Sequence, residues 1–239
     1  MEGKTESRSL YLDLIQKCLT NTIYEDLPQD KWSGGKYKSA IRNRGLDWPS
    51  EAHTMIGSQR MTNLRELTEY VIRQNIPGDM VETGIWRGGA CIYMRAILKA
   101  YGVTDRVVWC ADSFEGLPKP DPDRFPQDTG DIHHTYDPLK VSLEEVKSNF
   151  SKYDLLDEQV NFLKGWFKDT LPNAPIKYLS ILRLDADMYQ STAEGLTCLY
   201  DKVSPGGFIV VDDYGAVQGC RTAVQDFRKE RNINDPIQN

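Results

Sequence analysis

The sequence lacks the features that mark nucleic-acid-binding, zinc-binding and disulfide-rich proteins. Its 239 residues carry a net charge of -6 and contain no basic run. Phosphate binding normally requires basic patches, so a nucleic-acid partner is not expected. The cysteines number five and include no C-x-x-C pair, so neither a disulfide framework nor a zinc site is indicated.

Long apolar runs and two common nucleotide motifs are also missing. No apolar run reaches the roughly 18 residues that a membrane-spanning helix needs. The N-terminal residues Met1–Ser7 lack the apolar core of a signal peptide. With reduced thiols as the default, we expect a cytoplasmic protein with no membrane partner. Neither G-x-G-x-x-G nor G-x-x-x-x-G-K-[ST] occurs, which argues against a dinucleotide fingerprint and a phosphate loop.

What the sequence does contain is an alternation of helical and strand patterns. Two amphipathic helical patterns, at residues 9–26 and 55–75, come first, and strand patterns then alternate with helical ones. This order predicts a mostly parallel sheet with helices on both faces. We expect one domain over residues 1–239, with an N-terminal helical cap and lid at 1–52 and a catalytic core at 53–239. The strand patterns lie at residues 78–84, 106–112, 160–163, 178–184 and 206–211.

Two of these strand patterns, 178–184 and 206–211, each end in a pair of carboxylates. The carboxyl ends of parallel strands lie at one edge of a sheet, which is where α/β proteins place their sites. Four acids there predict an oxygen-rich pocket for a hard divalent cation such as Mg²⁺. The four acids are Asp185, Asp187, Asp212 and Asp213.

Each of these aspartates has a simpler interpretation when taken alone. Asp212 and Asp213 could cap the following turn, and Asp187 could pair with Arg183 or Arg221. Uncompensated carboxylates that lie close together repel and raise each other's pKa, and a cation relieves that repulsion. A metal would also lower the pKa of an acceptor hydroxyl, and an acid that is not a ligand could take its proton.

A glycine turn after the first strand is a candidate binding site for a cofactor. An acid at a strand end, Glu82, is followed by Gly84 and a second glycine, Gly88, which is similar to the first motif of S-adenosylmethionine-dependent methyltransferases. Asp112 ends the next strand, where an acid can hold a ribose; its alternative role is a turn cap. Met55 could lie against the cofactor or simply pack in the core.

Longer stretches of the chain resemble one family, the macrocin O-methyltransferases. The stretches are VETGIWRGGACIYMRA, ADSFEGLP, GDIHHTYDPLKVSLEEVKSNF, FLKGWFKDTLP, LRLDADMYQST and SPGGFIVVDDYGAVQGCRTAVQDFR. The resemblance runs from about Leu10 to about Pro236. It implies a Rossmann-like class I methyltransferase fold with a seven-stranded sheet. It also implies a Mg²⁺- and S-adenosylmethionine-dependent enzyme that methylates sugar hydroxyls of natural products, such as macrolide and aminocoumarin antibiotics.

The resemblance also implies roles for individual residues. Asp187 is the expected general base, although Asp185 and Asp187 could exchange roles. Residues 31–49 and the loop around His133 would form a lid over the acceptor. The simpler alternative is that both are surface loops. The expected metal ligands are Asp185, Asp212 and Asp213. The expected cofactor contacts are Met55, Glu82, Thr83, Gly84, Gly88, Asp112, Ser113, Gly165, Trp166 and Asp185. The expected acceptor contacts are Trp48, His133, His134 and Tyr189.

The expected function is therefore O-methylation of a small, glycosylated acceptor, with S-adenosylhomocysteine as the product. Methylation of a polyketide or phenolic hydroxyl, a non-catalytic cofactor-binding protein and a metal-dependent hydrolase remain alternatives. We further expect a homo-oligomer, most simply a dimer. In similar proteins the chain continues beyond Ile237 into a final strand with Trp and Tyr, so the sheet edge is expected to differ here.

Overall fold

Five parallel strands form the central sheet of the computed structural model, which describes residues 2–238. Their order across the sheet is β3-β2-β1-β4-β5, and every neighbouring pair is parallel. This confirms the expected mostly parallel α/β fold. The strands are β1 Asp79–Thr83, β2 Val108–Asp112, β3 Val160–Lys164, β4 Leu179–Leu184 and β5 Val203–Val211.

Helices cover both faces of this sheet. One hydrophobic core lies beneath α1, α3, α4 and α5, and a second lies beneath α7 and α8 on the opposite face. No helix within residues 2–238 combines the length and the apolar character that crossing a bilayer requires. The helices are α1 Glu2–Leu19, α2 Ser39–Arg44, α3 Gly57–Arg73, α4 Gly89–Tyr101, α5 Leu143–Ser151, α6 Phe167–Thr170, α7 Tyr189–Leu199 and α8 Gln218–Glu230.

The sheet is narrower than the resemblance implies. Within residues 2–238 it has five strands rather than seven, and these five are the strands that the apolar patterns located. After β5 the chain enters α8, and residues 233–238 then have no regular structure. In the described part of the chain β5 is therefore one of the two edge strands, with β3 at the other edge. Every residue of β4 is buried, as expected for an apolar strand covered on both faces.

Some element boundaries and buried faces differ from the sequence prediction. The buried face of α1 consists of Leu12, Ile15 and Leu19, whereas Leu14, another apolar residue of the predicted helical pattern at 9–26, is 54% exposed. The helix lies outside α4 and α3, so only part of its broad apolar stripe is covered. Strand β5 also begins at Val203 and passes through Pro205, ahead of the strand pattern expected at 206–211. A proline is tolerated there because β5 is an edge strand.

Residues 27–52 had no clear period in the sequence, and buried charges give them their structure. The Arg42 side chain on α2 is fully buried and donates to the carboxylates of Asp26 and Asp47 and to the carbonyl of Thr20. Asp30 accepts hydrogen bonds from nearby backbone N–H groups, among them that of Trp48. This segment, which contains the lid expected at residues 31–49 and is called the lid below, is therefore an ordered part of the domain.

Candidate functional site

A cavity of about 360 Å³ opens at the carboxyl ends of the strands, in the size range of ligand pockets. Its walls come from the segments that follow β1, β2, β3 and β4, which is the edge where an α/β sheet places its site. The catalytic candidate Asp187 also lines it. The expected cofactor contacts on its wall are Met55, Gly84, Asp112, Ser113, Gly165, Trp166 and Asp185.

Gly84 brings the turn after β1 directly against the end of β4. Its backbone is left-handed, with φ +80°, and a Cβ atom there would lie 1.7 Å from the carbonyl oxygen of Asp185. The Asp185 N–H in turn donates to the carbonyl of Thr83 at 2.9 Å. Only glycine fits at this close contact. The glycine turn and the acidic end of β4 therefore form one wall of the cavity.

Asp112 has two roles in the structure. Its Oδ2 accepts a hydrogen bond from the N–H of Ile85 at 2.8 Å, and its Oδ1 accepts one from Phe114 at 2.7 Å. It therefore caps its own turn and fixes the glycine turn, and Asp112 also lines the cavity. The Ser113 hydroxyl, at 3.4 Å, and the Trp86 N–H donate to the same carboxylate, and burial raises its pKa against the effect of these donors. A carboxylate has about four lone-pair positions, so a ligand hydroxyl would share them with these protein donors.

Three expected cofactor contacts, Glu82, Thr83 and Gly88, are not among the residues that line the cavity. Glu82 is only 2% exposed and pairs with Arg183, and the Cys91 thiol donates to it at 3.0 Å. Burial raises the pKa of Glu82 to about 7 despite the opposing charge of Arg183. Thr83 is fully buried, and Gly88 packs beneath α5. These residues support the wall from behind.

Asp185, Asp212 and Asp213 come together as the sequence predicted. Each offers a carboxylate oxygen, and these oxygens lie within 4.8 Å of one another. The pairing of Leu184 with Val211 explains this arrangement, because the three acids follow directly after these two residues. Hard oxygen donors this close together fit a divalent cation such as Mg²⁺.

Arg183 was missed as a member of this site. It is 1% exposed, and its guanidinium pairs with Glu82, Asp185 and Asp212, at 2.6 Å for Asp185. The acidic cluster is therefore partly compensated by a fixed internal cation. We had considered Arg183 as a partner for Asp187, and the structure gives it these three carboxylates instead. A signal was available, because Arg183 and Glu82 are charged residues in apolar strands and pair in register.

Asp187 lies at the cavity wall beside the metal candidates. Its backbone is left-handed, with φ +54°, and its N–H donates to Asp213 Oδ2 at 3.1 Å. Burial raises the pKa of Asp187 to about 7, and the negative charge of Asp185 adds to the effect. Burial raises the pKa of Asp213 well above its usual value, and the negative charges of Asp187, Asp185 and Asp212 add to the effect. A carboxyl group with a pKa near neutral is suited to accept a proton from a substrate.

Of the expected acceptor contacts, His133 and Trp48 belong to one row of rings. His133 Nδ1 lies 2.7 Å from Asp131 Oδ2. Its ring contacts Tyr136 at 5.8 Å between centroids, and Tyr136 contacts Trp48 at 5.5 Å. The row therefore connects the lid with the loop beside the acids.

The other two expected acceptor contacts have different surroundings. Nδ1 of His134 is buried and has no hydrogen-bond partner among the described residues. The Tyr189 hydroxyl donates to Asp226 on α8 at 3.1 Å, and its ring packs near Phe125 at 6.2 Å. None of the four expected acceptor contacts lines the cavity, although Gln190, which follows Tyr189, does.

Asp128, in the irregular segment before β3, is a second residue that the sequence did not reveal. It is 3% exposed and accepts hydrogen bonds from the N–H groups of Tyr189 at 2.7 Å and Gln190 at 3.0 Å. These N–H groups begin α7, so Asp128 caps that helix across 61 residues of sequence. The loop is thereby fixed to the helix that begins two residues after Asp187.

Comparisons with known proteins agree on one family. The family model described as Macrocin-O-methyltransferase (TylF) matches residues 8–239. The chain is 52% identical to demethyldecarbamoylnovobiocin O-methyltransferase of Streptomyces niveus, over 96% of this chain and 89% of the relative. It is 50% identical to 8-demethyl-8-(2,3-dimethoxy-alpha-L-rhamnosyl)-tetracenomycin-C 4'-O-methyltransferase of Streptomyces olivaceus, over 97% and 89%.

A third relative and a solved structure extend this agreement. Mycinamicin III 3''-O-methyltransferase of Micromonospora griseorubida is 47% identical over 95% of this chain and 91% of the relative. The structure of the O-methyltransferase NovP superimposes with a TM-score of 0.92 at 52% identity, covering 97% of this chain and 95% of NovP.

Proposed function

The chain belongs to the macrocin-O-methyltransferase (TylF) family and is an O-methyltransferase, and from this premise we propose that it methylates a sugar hydroxyl of a glycosylated natural product. The methyl donor is S-adenosylmethionine. The observation that supports the proposal most is the contact of the glycine turn at Gly84 with Asp185, because the cavity, which we propose as the donor site, then lies beside a cluster of carboxylates.

The cavity supports a site for the donor. Asp112 lines the cavity, where it would hold a ribose, and Gly84 lines the same cavity while its turn packs against Asp185. Met55, Ser113 and Trp166 add further wall, of which Trp166 is suited to an adenine ring. We assign Glu82, Thr83 and Gly88 an indirect part, since they hold the wall in place.

The acidic site supports a resident Mg²⁺ held by Asp185, Asp212 and Asp213. When bound, the ion would supply orientation of the acceptor oxygen and a lower pKa for its hydroxyl. Arg183 and Arg60 pair with Asp212, and Arg183 also pairs with Asp185, so these side chains fix the carboxylates in place.

Asp187 is the proposed general base. It takes the proton of the acceptor hydroxyl while the oxygen forms a bond to the methyl carbon and the sulfur–carbon bond breaks. S-adenosylhomocysteine leaves with the electron pair of that bond. Much of the rate acceleration comes from holding the oxygen in line with the methyl group, with water excluded by the lid.

The lid and the histidine loop are the proposed acceptor site. Trp48 and His133 belong to the row of rings, whose faces suit the C–H groups of a sugar or the rings of an aglycone. His134 offers an imidazole nitrogen without a partner within the described residues. Tyr189 is the first residue of α7, and we propose that it borders the acceptor site there. The relatives are named for different acceptors, one of them a rhamnosyl tetracenomycin, so the aglycone and the position of the hydroxyl are open to test.

A calorimetric titration and a turnover assay test the two halves of the site separately. S-adenosylmethionine should bind without added metal, because Asp112 and the glycine turn are formed by the protein alone. EDTA should abolish methyl transfer while it leaves cofactor binding intact. Acceptors can be screened by mass shift with labelled methyl donor. Failure to bind millimolar cofactor would refute the donor site, and activity retained in EDTA would refute the metal role.

The exchange Asp187→Asn separates base from ligand. We expect turnover to fall about 10²–10⁴-fold, the usual contribution of a general base. Mg²⁺ affinity should stay near that of the wild type, whereas the matched variant Asp185→Asn should lose it. If Asp187→Asn loses the metal and Asp185→Asn keeps it, the two roles are reversed.

A further inference from the structure

Arg60, on the first turns of α3, connects the lid with the acidic site. Its guanidinium uses a different nitrogen for each of three partners. Nε donates to the carbonyl of Ile56 at 2.8 Å, Nη2 donates to the carbonyl of Gly45 at 2.9 Å, and Nη1 pairs with Asp212. Gly45 ends the lid helix α2, and Asp212 is a proposed metal ligand at the end of β5.

The contact between the end of the lid helix α2 and the start of α3 is tightly packed. Gly45 and Gly57 are both left-handed, with φ +64° and +73°. A Cβ atom on Gly45 would lie 2.3 Å from both Arg60 Nη2 and the carbonyl oxygen of Ile56, and one on Gly57 would lie 2.3 Å from the nitrogen of Gly45. The end of α2 therefore sits directly on the start of α3, and the position of Arg60 depends on that seating.

Two guanidinium groups orient Asp212. Arg60 pairs with its Oδ2 and Arg183 with its Oδ1, while the side chain is only 4% exposed. With one donor on each oxygen, the plane of the carboxylate is fixed. Partners that orient a metal ligand in this manner affect metal affinity without touching the ion.

We propose that Arg60 is a positioning residue that couples the seating of the lid helix α2 to the metal ligand Asp212. Cation affinity then depends on whether α2 is in place, although α2 supplies no ligand. By linkage, a bound cation favours the seated lid to the same extent. This inference rests on the metal site of the proposed function.

A positioning role and a purely electrostatic role predict opposite results. If Arg60 acted only as a nearby positive charge, its removal would strengthen cation binding by Coulomb's law. If it orients Asp212, its removal weakens binding by about 10–100-fold, the usual range for a lost supporting contact. The sign of the change therefore decides between them.

Calorimetry with Mg²⁺, in the presence of S-adenosylhomocysteine, measures this sign in the intact protein. We expect Arg60→Met to bind Mg²⁺ at least about 10-fold more weakly than the wild type. Arg60→Lys keeps the charge but has one ammonium for three acceptors, so it should also bind more weakly. Affinity for S-adenosylhomocysteine should be unchanged in both variants, and this also shows that they are folded.

Gly45→Ala tests the lid half of the coupling without changing the identity of Arg60. The added Cβ displaces Arg60 Nη2, so Mg²⁺ affinity should fall as in Arg60→Met. Gly102→Ala is the matched control, because Gly102 also ends a helix with φ +68° and has nothing within 4 Å of an added Cβ. The control should bind Mg²⁺ as the wild type does.

The double variant completes the test. If the two changes act through one contact, Gly45→Ala combined with Arg60→Met should lose no more affinity than Arg60→Met alone. Equal or tighter Mg²⁺ binding by Arg60→Met, or equal effects of Gly45→Ala and Gly102→Ala, would overturn the coupling. A wild-type protein that binds no divalent cation would instead refute the proposed metal site itself.

Discussion

At the scale of single residues, the site depends on how buried charges are paired. Glu82, Asp185 and Asp212 share the guanidinium of Arg183, while Asp187 has no such partner within the described residues and burial raises its pKa. Arg183 thus fixes three of the acids and, within residues 2–238, leaves Asp187 and Asp213 without an arginine partner, and of these two only Asp187 lines the cavity.

His53 gives a prediction for stability against pH. Burial lowers its pKa to about 4, and Lys152 and Arg87 add to the effect. Its Nδ1 lies 2.9 Å from the Tyr153 hydroxyl. The unfolded state takes up a proton near pH 6.5 and the folded state only near pH 4, so stability contributed by neutral His53 is lost as the pH falls between these values.

Denaturant unfolding at pH 7.5 and pH 5 measures this loss. We expect the free energy of unfolding to fall in this range by on the order of 1–2 kcal/mol from His53, after allowance for its partial exposure. His53→Gln cannot titrate and should show a flatter pH dependence than the wild type. Equal slopes for the two proteins would contradict the assignment.

Sequence reasoning found the residues at strand ends and missed those that act across the fold. The acids after β4 and β5 could be located because apolar strand patterns show where parallel strands end. Arg60 and Asp128 could not, because each meets its partner only after segments distant in the sequence have packed. For Glu82 the sequence motif indicated a cofactor contact. In the structure its side chain instead pairs with Arg183, behind the wall of the cavity.

At the scale of elements, the lid differs most from its sequence pattern. Residues 27–52 lack periodicity, yet Arg42 organises them through two buried carboxylates, those of Asp26 and Asp47. Ion pairs join residues at irregular spacings, so no helical or strand period reveals them. By contrast, Ser142 and Glu145 have the local spacing of a capping box, and the Glu145 N–H donates to the Ser142 hydroxyl at 3.1 Å.

Arg42→Met should loosen the lid. It leaves Asp26 and Asp47 buried without their cation, and breaking a buried pair usually costs about 3–5 kcal/mol. We expect faster cleavage within residues 27–52 in limited proteolysis and a lower melting temperature. Arg44→Met, at an exposed position of the same helix, is the control and should resemble the wild type. Equal cleavage rates for the two variants would show that Arg42 does not hold the lid.

At the scale of the whole molecule, the cavity gathers segments that follow four of the five strands, and its ligands should therefore stabilise the entire fold. A ligand at 100 times its Kd adds about 2.7 kcal/mol. For a chain of this length this corresponds to a rise in melting temperature of about 5–10 °C. We expect such a rise with S-adenosylhomocysteine and a further rise when Mg²⁺ is added.

Asp213→Asn separates the two ligands in the same thermal measurement. Asp213 is a proposed metal ligand but does not line the cavity. The variant should keep the rise caused by S-adenosylhomocysteine and lose the additional rise caused by Mg²⁺. An undiminished Mg²⁺ effect in Asp213→Asn would mean that the ion stabilises the protein from another place.

The cap that Asp128 places on α7 limits how the acceptor range of this enzyme can be engineered. A chimaera that takes the whole segment 113–140 from a relative risks losing the carboxylate on which the start of α7 depends. A shorter exchange of residues 129–137 replaces both histidines and leaves Asp128 in place. The safe boundary for such a graft is therefore set by one hydrogen-bonded carboxylate, and it lies inside the loop.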